Sequence, residues 1–369
     1  MKRNVILVIG LLLAVLFCPV ASAAEEAANY DGFGAAEAQQ QMPDAAREYI
    51  DPEEDLADQI NYQTIWNLIS NGTYDVVRGA IVDFGKIMAV VVLFMVLSAF
   101  TEGGMRGSTK TAFQLAAMLC LALVVYDCSQ GAIREASAAI NDLGVYVKAL
   151  LPVFAGTMAG SGALTSAAVL PGIMLTALEI TSQLNIYFFL PILNIYFAVC
   201  LAGAASNKVA LAGVGNFLKS TVIYCLTGVT TIFVGILGIQ RVVASASDTV
   251  AAKAVKFTVG SVIPVVGGIV KDAFDTVAGG IGMIKSVTGA IGIAAILFTL
   301  APVVIRILLY SLMFKAATAL ASLSETGGIS RFLGSVSELW NCLFAVTVFE
   351  GAILIIGIAA MLSVGGVTV

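Results

Sequence analysis

Apolar residues run along most of this chain in stretches that are continuous rather than alternating. Uncharged runs extend from Ser220 to Gln240, from Ser286 to Ile305 and from Gly351 to Val369. Each approaches the roughly 20 residues that carry a helix across the hydrocarbon core of a bilayer. Shorter runs cover Ile87 to Phe100 and Thr111 to Tyr126, and Pro171 to Ala205 adds a long one with a single charge, Glu179. With no period-two alternation, the pattern predicts spanning helices rather than a closed barrel.

Between two of these runs the pattern changes. Read as a helix from residue 242, Val243, Ala246, Val250, Ala254 and Phe257 share one face, and Ser245, Asp248, Thr249, Lys253 and Lys256 share the other. That is the arrangement of a helix lying in a membrane interface. It leads into SVIPVVGGIV, an apolar stretch too short to span and interrupted by Pro264, Gly267 and Gly268, and then into KDAFDTVAGG. A re-entrant or surface-lying hairpin is predicted. Its candidate interaction surface is Asp248, Lys253, Lys256, Phe257, Pro264, Gly267, Gly268, Lys271 and Asp272.

A shift of 112 residues lays 140–158 over 252–270, matching Val147 with Val259, Pro152 with Pro264, Val153 with Val265 and Gly156 with Gly268. The surrounding order also recurs: a span, an amphipathic helix (129–148, then 241–257), a Pro-Gly hairpin, and an apolar segment interrupted by Pro191 or Pro302. The expected fold is therefore an all-α polytopic membrane protein with two tandem parallel repeats, each carrying an amphipathic or re-entrant hairpin. Its expected units are a signal peptide (1–23), an acidic leader (24–78), a first span with its linker (79–110), repeats at 111–219 and 220–338, and a final span (339–369). Arg106, Lys110, Lys208, Lys219, Lys315 and Arg331 sit in the short linkers before the spans at 111, 220 and 339, and the positive-inside rule puts those linkers in the cytoplasm. The hairpins then face outward, with Lys253, Lys256 and Lys271 running against the rule. The chain makes six crossings, or eight if each Pro-interrupted segment is a pair.

Charge and composition refine this picture. Lys2 and Arg3 precede an apolar run from Val5 to Phe17, and Ala21-Ser22-Ala23 supplies a small-residue cleavage site, so cleavage after Ala23 is expected. Residues 24–83 then hold 13 Asp and Glu against Arg47 and Arg78, predicting a mobile acidic leader outside the cytoplasm. The net charge of −5 belongs to that leader and says little about partners of the membrane domain. Cys120, Cys200, Cys225 and Cys342 lie in apolar runs as packing residues. The chain has no His, which argues against most zinc sites and against Ser-His or Cys-His catalysis. No phosphate-loop glycine pattern precedes Gly85-Lys86. No enzyme, cofactor, metal or nucleic-acid motif emerges, and the partner that composition names is the lipid bilayer.

Glu179, Arg306 and Glu350 interrupt apolar segments. Charges at membrane depth cost about 2.5–3.5 kcal/mol on insertion scales and face a protein interior or a wet cavity. Pairing of Arg306 with Glu350 or Glu179 is expected. Two other classes fit part of the pattern: a stand-alone secondary transporter using Glu179 and Arg306, with Gln183, Asn185 and Asn194 nearby, and a scaffold with no conduit.

VVASASDTVAAKAVKFTVGSVIPVVGGIVKDAFDTVAGG at 242–280, followed by a span and PVVIRILLYSLMFKAATALASL at 302–323, resembles the stage III sporulation protein AE family of endospore-forming bacteria. The order of signal, leader and repeated polytopic domain extends that resemblance over most of the chain. It implies a mother-cell membrane protein facing the space around the engulfed forespore. It also implies a subunit of a multi-protein, secretion-like channel that supports forespore development and late gene expression. The implied partners are other stage III sporulation A-operon proteins, among them a cytoplasmic ATPase and a ring-forming protein, together with forespore protein Q.

Overall fold

The computed structural model describes residues 35–50, 73–101, 107–206, 210–262, 267–322 and 327–364, with the backbone alone for 251–262, 267–279 and several other helical residues. The signal-peptide expectation, residues 51–70 and Pro264 lie outside the described residues. Two short helices, α1 (Ala35–Gln40) and α2 (Asp44–Arg47), precede α3 (Thr73–Thr101) and α4 (Gly107–Gly160). Next come α5 (Leu164–Leu184), a π-helical segment (Asn185–Phe189) and α6 (Leu190–Ser206), stacked end to end. The long helices α7 (Ala210–Val262), α8 (Gly267–Ala321) and α9 (Gly327–Leu362) complete the chain. Among the described residues six helical rods are long and apolar enough to cross a membrane: α3, α4, α5–α6, α7, α8 and α9.

Helix length is where the structure departs from the expected hairpins. Helices α4, α7 and α8 contain 54, 53 and 55 residues, about 80 Å each, while the hydrocarbon core is about 30 Å thick. The expected break between a span at 111–126 and a surface hairpin at 129–160 is absent, because α4 is continuous through both and contains Pro152. The chain reverses at Ser161–Ala163 instead. There Ala163 N–H donates to the Met158 carbonyl and Gly162 N–H to the Ala159 carbonyl, with Gly162 at φ 86°. This is a Schellman ending, which needs the left-handed conformation that glycine adopts without strain.

Proline does not break the other rods either. Pro191 lacks the N–H that an α-helix would use, and its ring would crowd the carbonyl four residues back. The π segment immediately before it widens the ladder there, so the rod runs through. Pro302 lies inside α8. Among the described residues each Pro-containing apolar segment is thus part of one continuous rod.

Helices α8 and α9 form the most extensive pair. The most apolar window of α8 is 67% buried and that of α9 61%, against 17% for α5–α6 and 22% for α3 and α7. The first two are core helices, and the others present apolar faces outward. Two buried clusters stack along the bundle axis, named by their place on α4: the inner at residues 118–136 and the outer at 143–158. The inner joins Ile87 and Phe94 of α3, Leu121 and Val125 of α4, Phe314 of α8 and Trp340 of α9. The outer joins Phe154 of α4, Met174 of α5, Phe233 of α7, Phe298 of α8 and Ile358 of α9.

The leader is not free chain over its described part. Ala38, Met42, Ala46 and Ile50 recur every fourth residue and are all buried, in the outer cluster against α4 and α8. Tyr49 stacks on Phe298 with ring centroids 5.5 Å apart and planes 10° from parallel. Arg47 folds back to donate to the Gln40 carbonyl at the end of α1, the usual role of a basic residue at a helix C-terminus. Residues 35–50 are thus a strap on the outer half of the bundle, and the acidic side chains Glu37, Asp44 and Glu48 are its exposed rim.

Close approach of α8 to α9 requires glycine at Gly289, where a Cβ would fall inside the fork of Leu362. Gly289→Val is expected to destabilise the purified protein by about 1–3 kcal/mol through overpacking. Gly228→Ala, on α7 where a Cβ meets nothing within 4 Å, should leave the thermal midpoint in detergent unchanged or slightly raised.

Candidate functional site

Polar side chains gather at one level of the inner tier and link its helices. Lys86 Nζ lies 2.8 Å from Asp83 Oδ1 on α3, and the Tyr310 hydroxyl of α8 donates to the other Asp83 oxygen. Gln130 of α4 donates to Asn194 of α6 at 3.2 Å. Ser311 of α8 donates to Asn341 of α9 at 2.9 Å, and Ser337 donates back to the Ser311 carbonyl at 3.3 Å. Lys219 of α7 pairs with Glu338 of α9, and Arg306 of α8 with Glu135 of α4. Each such bond in a membrane contributes about 0.6–2 kcal/mol. Together they set which residues of different helices share a level.

The expected pairing of Arg306 with Glu350 or Glu179 is corrected here. Glu350 lies beside Gly351, which packs on Leu300, nearly two turns of α8 outward from Arg306. Glu179 is not buried. Its side chain is 58% exposed, lies 3.5 Å from Lys148 Nζ of α4, and accepts from Gln183 Nε2 at 3.0 Å. The structure therefore does not bring Glu179 and Arg306 together. Asn194 joins the inner belt, and Asn185 is buried at the start of the π segment.

At the outer end, two buried charges close the bundle on helix termini. Asp248 of α7 is 7% exposed and accepts from the N–H groups of Thr165 at 2.8 Å and Ser166 at 3.1 Å. Those are the first free donors of α5, which has no side-chain cap of its own. Lys285 of α8 is 4% exposed and donates to the Val364 carbonyl just past the end of α9. An anion at a helix N-terminus and a cation at a C-terminus both complement the macrodipole. Asp248, expected on a docking face, is instead a structural cap borrowed by another helix. Sequence periodicity put it on the polar side of α7 and could not reveal that a helix terminus 83 residues earlier needed an acceptor.

Beyond these caps the other expected surface residues fall on the last turns of α7 and the first turns of α8. Helix α7 continues about four turns past Asp248, and α8 begins about five turns before Lys285. Lys253, Lys256 and Phe257 lie on the first of these backbones, and Gly267, Gly268, Lys271 and Asp272 on the second; their side chains lie outside the described residues. Residues 263–266, which join the two helices, lie outside the described residues.

Around its outer tier the bundle has two unlike faces at the same level. The strap with exposed Asp44, Arg47 and Glu48 sits over Phe298, and Asn141, Asp142, Lys148 and Glu179 continue a polar arc along α4 and α5. Helix α7 instead exposes Ile232, Ile236, Ile239 and Val242, the last at 71%. The α5–α7 groove beside them, about 580 Å³, is lined by Ile173, Ile180, Val229, Phe233 and Ile353. Charges at bilayer depth are costly and aliphatic side chains are not, so the two faces suit different surroundings.

Residues 47–365 match the family model described as stage III sporulation protein AE. The chain belongs to the stage III sporulation protein AE family. The stage III sporulation protein AE of Bacillus subtilis (strain 168) is 24% identical over 289 residues, covering 77% of this chain and 72% of that protein. No solved structure matches. The protein is a sporulation protein with a multi-pass helical membrane domain. The match to the stage III sporulation protein AE family takes in the Tyr49–Phe298 stack, the polar belt, the outer caps and the extended α7–α8 tips, and begins after α1.

Asp248→Ala is expected to lower stability in detergent by about 1–2 kcal/mol, as loss of a helix N-cap does, with membrane insertion retained. Glu135→Arg and Arg306→Glu should each lower the thermal midpoint, and the double exchange should recover most of the loss. Failure of the double variant to exceed both single variants would remove the pair from the belt. In a cysteine-free background, Asp142→Cys should react with a membrane-impermeant maleimide while Ile232→Cys stays protected.

Proposed function

We propose that this protein is a non-enzymatic subunit of a multi-protein sporulation channel between mother cell and forespore. It sits in the mother-cell membrane with its N-terminal leader and α7–α8 tips outside the cytoplasm. Family membership supports the sporulation setting. The observation that supports the conduit reading is the two-faced outer tier, with exposed charges on the strap, α4 and α5 and exposed aliphatic side chains on α7. A lone bundle surrounded by lipid has no use for a charged face at that level. A subunit bordering a wet passage does.

In this reading the polar arc faces the conduit and α7 faces lipid. The α7–α8 tips reach into the intermembrane space, where Lys253, Lys256 and Lys271 meet the ring-forming A-operon protein that connects to forespore protein Q. The three basic linkers at the other end of the bundle face the cytoplasm, in keeping with the positive-inside rule, and approach the cytoplasmic ATPase.

In vivo crosslinking of the tagged protein in sporulating cells, with mass spectrometry of the attached chains, is expected to recover the ring and operon proteins. Recovery of the protein alone, with efficient crosslinking controls, overturns the reading. Exchanging Lys253 and Lys256 for Glu should abolish that recovery while the protein stays in the membrane, and normal assembly would exclude the tips as the docking surface.

A further inference from the structure

A second cavity, about 240 Å³, opens on the polar arc between α4, the end of α5 and α9. Its wall carries Ser137, Asn141, Thr181, Ser182, Asn185 and Glu350. Glu350 is 4% exposed, and its Oε1 has no hydrogen-bond partner among the described residues. The Thr181 hydroxyl lies 3.0 Å from the Ala177 carbonyl and also hydrogen-bonds the Glu350 carboxyl, which leaves Oε1 as the unsatisfied oxygen. Asn185, 6% exposed, begins the π segment, a kind of helix irregularity that recurs at functional sites.

A carboxyl group removed from water, with one oxygen unsatisfied and no basic side chain against it, is costly, and such a group is retained where a cation or a proton is supplied. The charged side chains nearest this wall are engaged elsewhere. Lys148 of α4 lines the mouth but pairs with Glu179 of α5, and Arg306 of α8 pairs with Glu135 one tier inward. The remaining wall groups are neutral oxygens from hydroxyls and amides. One carboxylate with several neutral oxygens suits a hard, singly charged ion, whereas calcium sites draw on several carboxylates. Among the described residues no group of three or more Asp, Glu, His or Cys side chains could hold a metal.

We infer that this cavity binds a small monovalent cation, a sodium ion or a proton, on the Glu350 carboxylate. The Thr181, Ser182 and Asn185 oxygens complete its shell, and the ion enters from the polar arc. The inference rests on the cavity and the buried carboxylate and stands apart from the channel reading.

The test is the thermal midpoint of the purified full chain in detergent, with sodium chloride varied against choline chloride at constant ionic strength and then with pH varied in choline. Sodium is the occupant if the midpoint rises with sodium and saturates, the rise vanishes in Glu350→Gln, and Asn185→Leu shifts the half-saturating concentration upward about tenfold, as expected for one lost ligand of about 1.4 kcal/mol. The proton is the occupant if sodium has no effect and acidification stabilises the native chain but not Glu350→Gln. Identical responses of native and Glu350→Gln chains to both variables overturn the proposal. Should Glu350→Gln fail to accumulate, Ser182→Ala and Asn185→Leu decide it, and sodium and pH responses unchanged in both overturn it equally.

Discussion

The pairing of α8 with α9 is the interaction on which the rest of this bundle depends. Both are apolar on nearly every side, and both are mostly buried in the protein rather than in lipid. Lipid tails are as apolar as leucine, so such helices associate through close packing and polar contacts rather than through escape from water. Glycines at 289 and 351 let the two rods approach until Leu362 and Leu300 fill the space a side chain would occupy. Once this pair is set, the other helices are ordered around it, and the inner belt of Asp83, Gln130, Asn194, Lys219, Arg306 and Glu338 pins their relative heights.

Helices of about 80 Å impose a second constraint, because a bilayer covers less than half of that length. The remainder must meet water, protein or a partner. The outer tier divides the problem by face, with charge and amide groups on α4, α5 and the strap and aliphatic side chains on α7. A helix pair that emerges from such a tier needs its terminal backbone groups satisfied where the bundle ends. Asp248 and Lys285 do that for the neighbouring helices α5 and α9.

Much of the architecture was legible in the apolar pattern. Continuous uncharged runs of about 20 residues predicted the spanning rods. Continuity was not legible. Pro152, Pro191 and Pro302 read as interruptions, yet one short π segment and the tolerance of packed membrane helices for proline keep the rods whole. Gly162, two residues past Gly160, is the local signal for the reversal after α4. In the leader, Ala38, Met42, Ala46 and Ile50 hold a helical period that 13 acidic residues across residues 24–83 obscured.

The sequence by itself determined that this is an all-helical polytopic membrane protein with an acidic leader. Those properties follow from the solvent each 20-residue window requires, which is local information. Only the tertiary structure decided which charge answers which. Arg306 meets Glu135 rather than Glu350, Asp248 caps a helix that begins 84 residues earlier, and Glu350 is left facing a cavity. These outcomes depend on the height at which distant segments stand beside one another. That height is set by how α8 and α9 interlock, a quantity that no window of sequence contains.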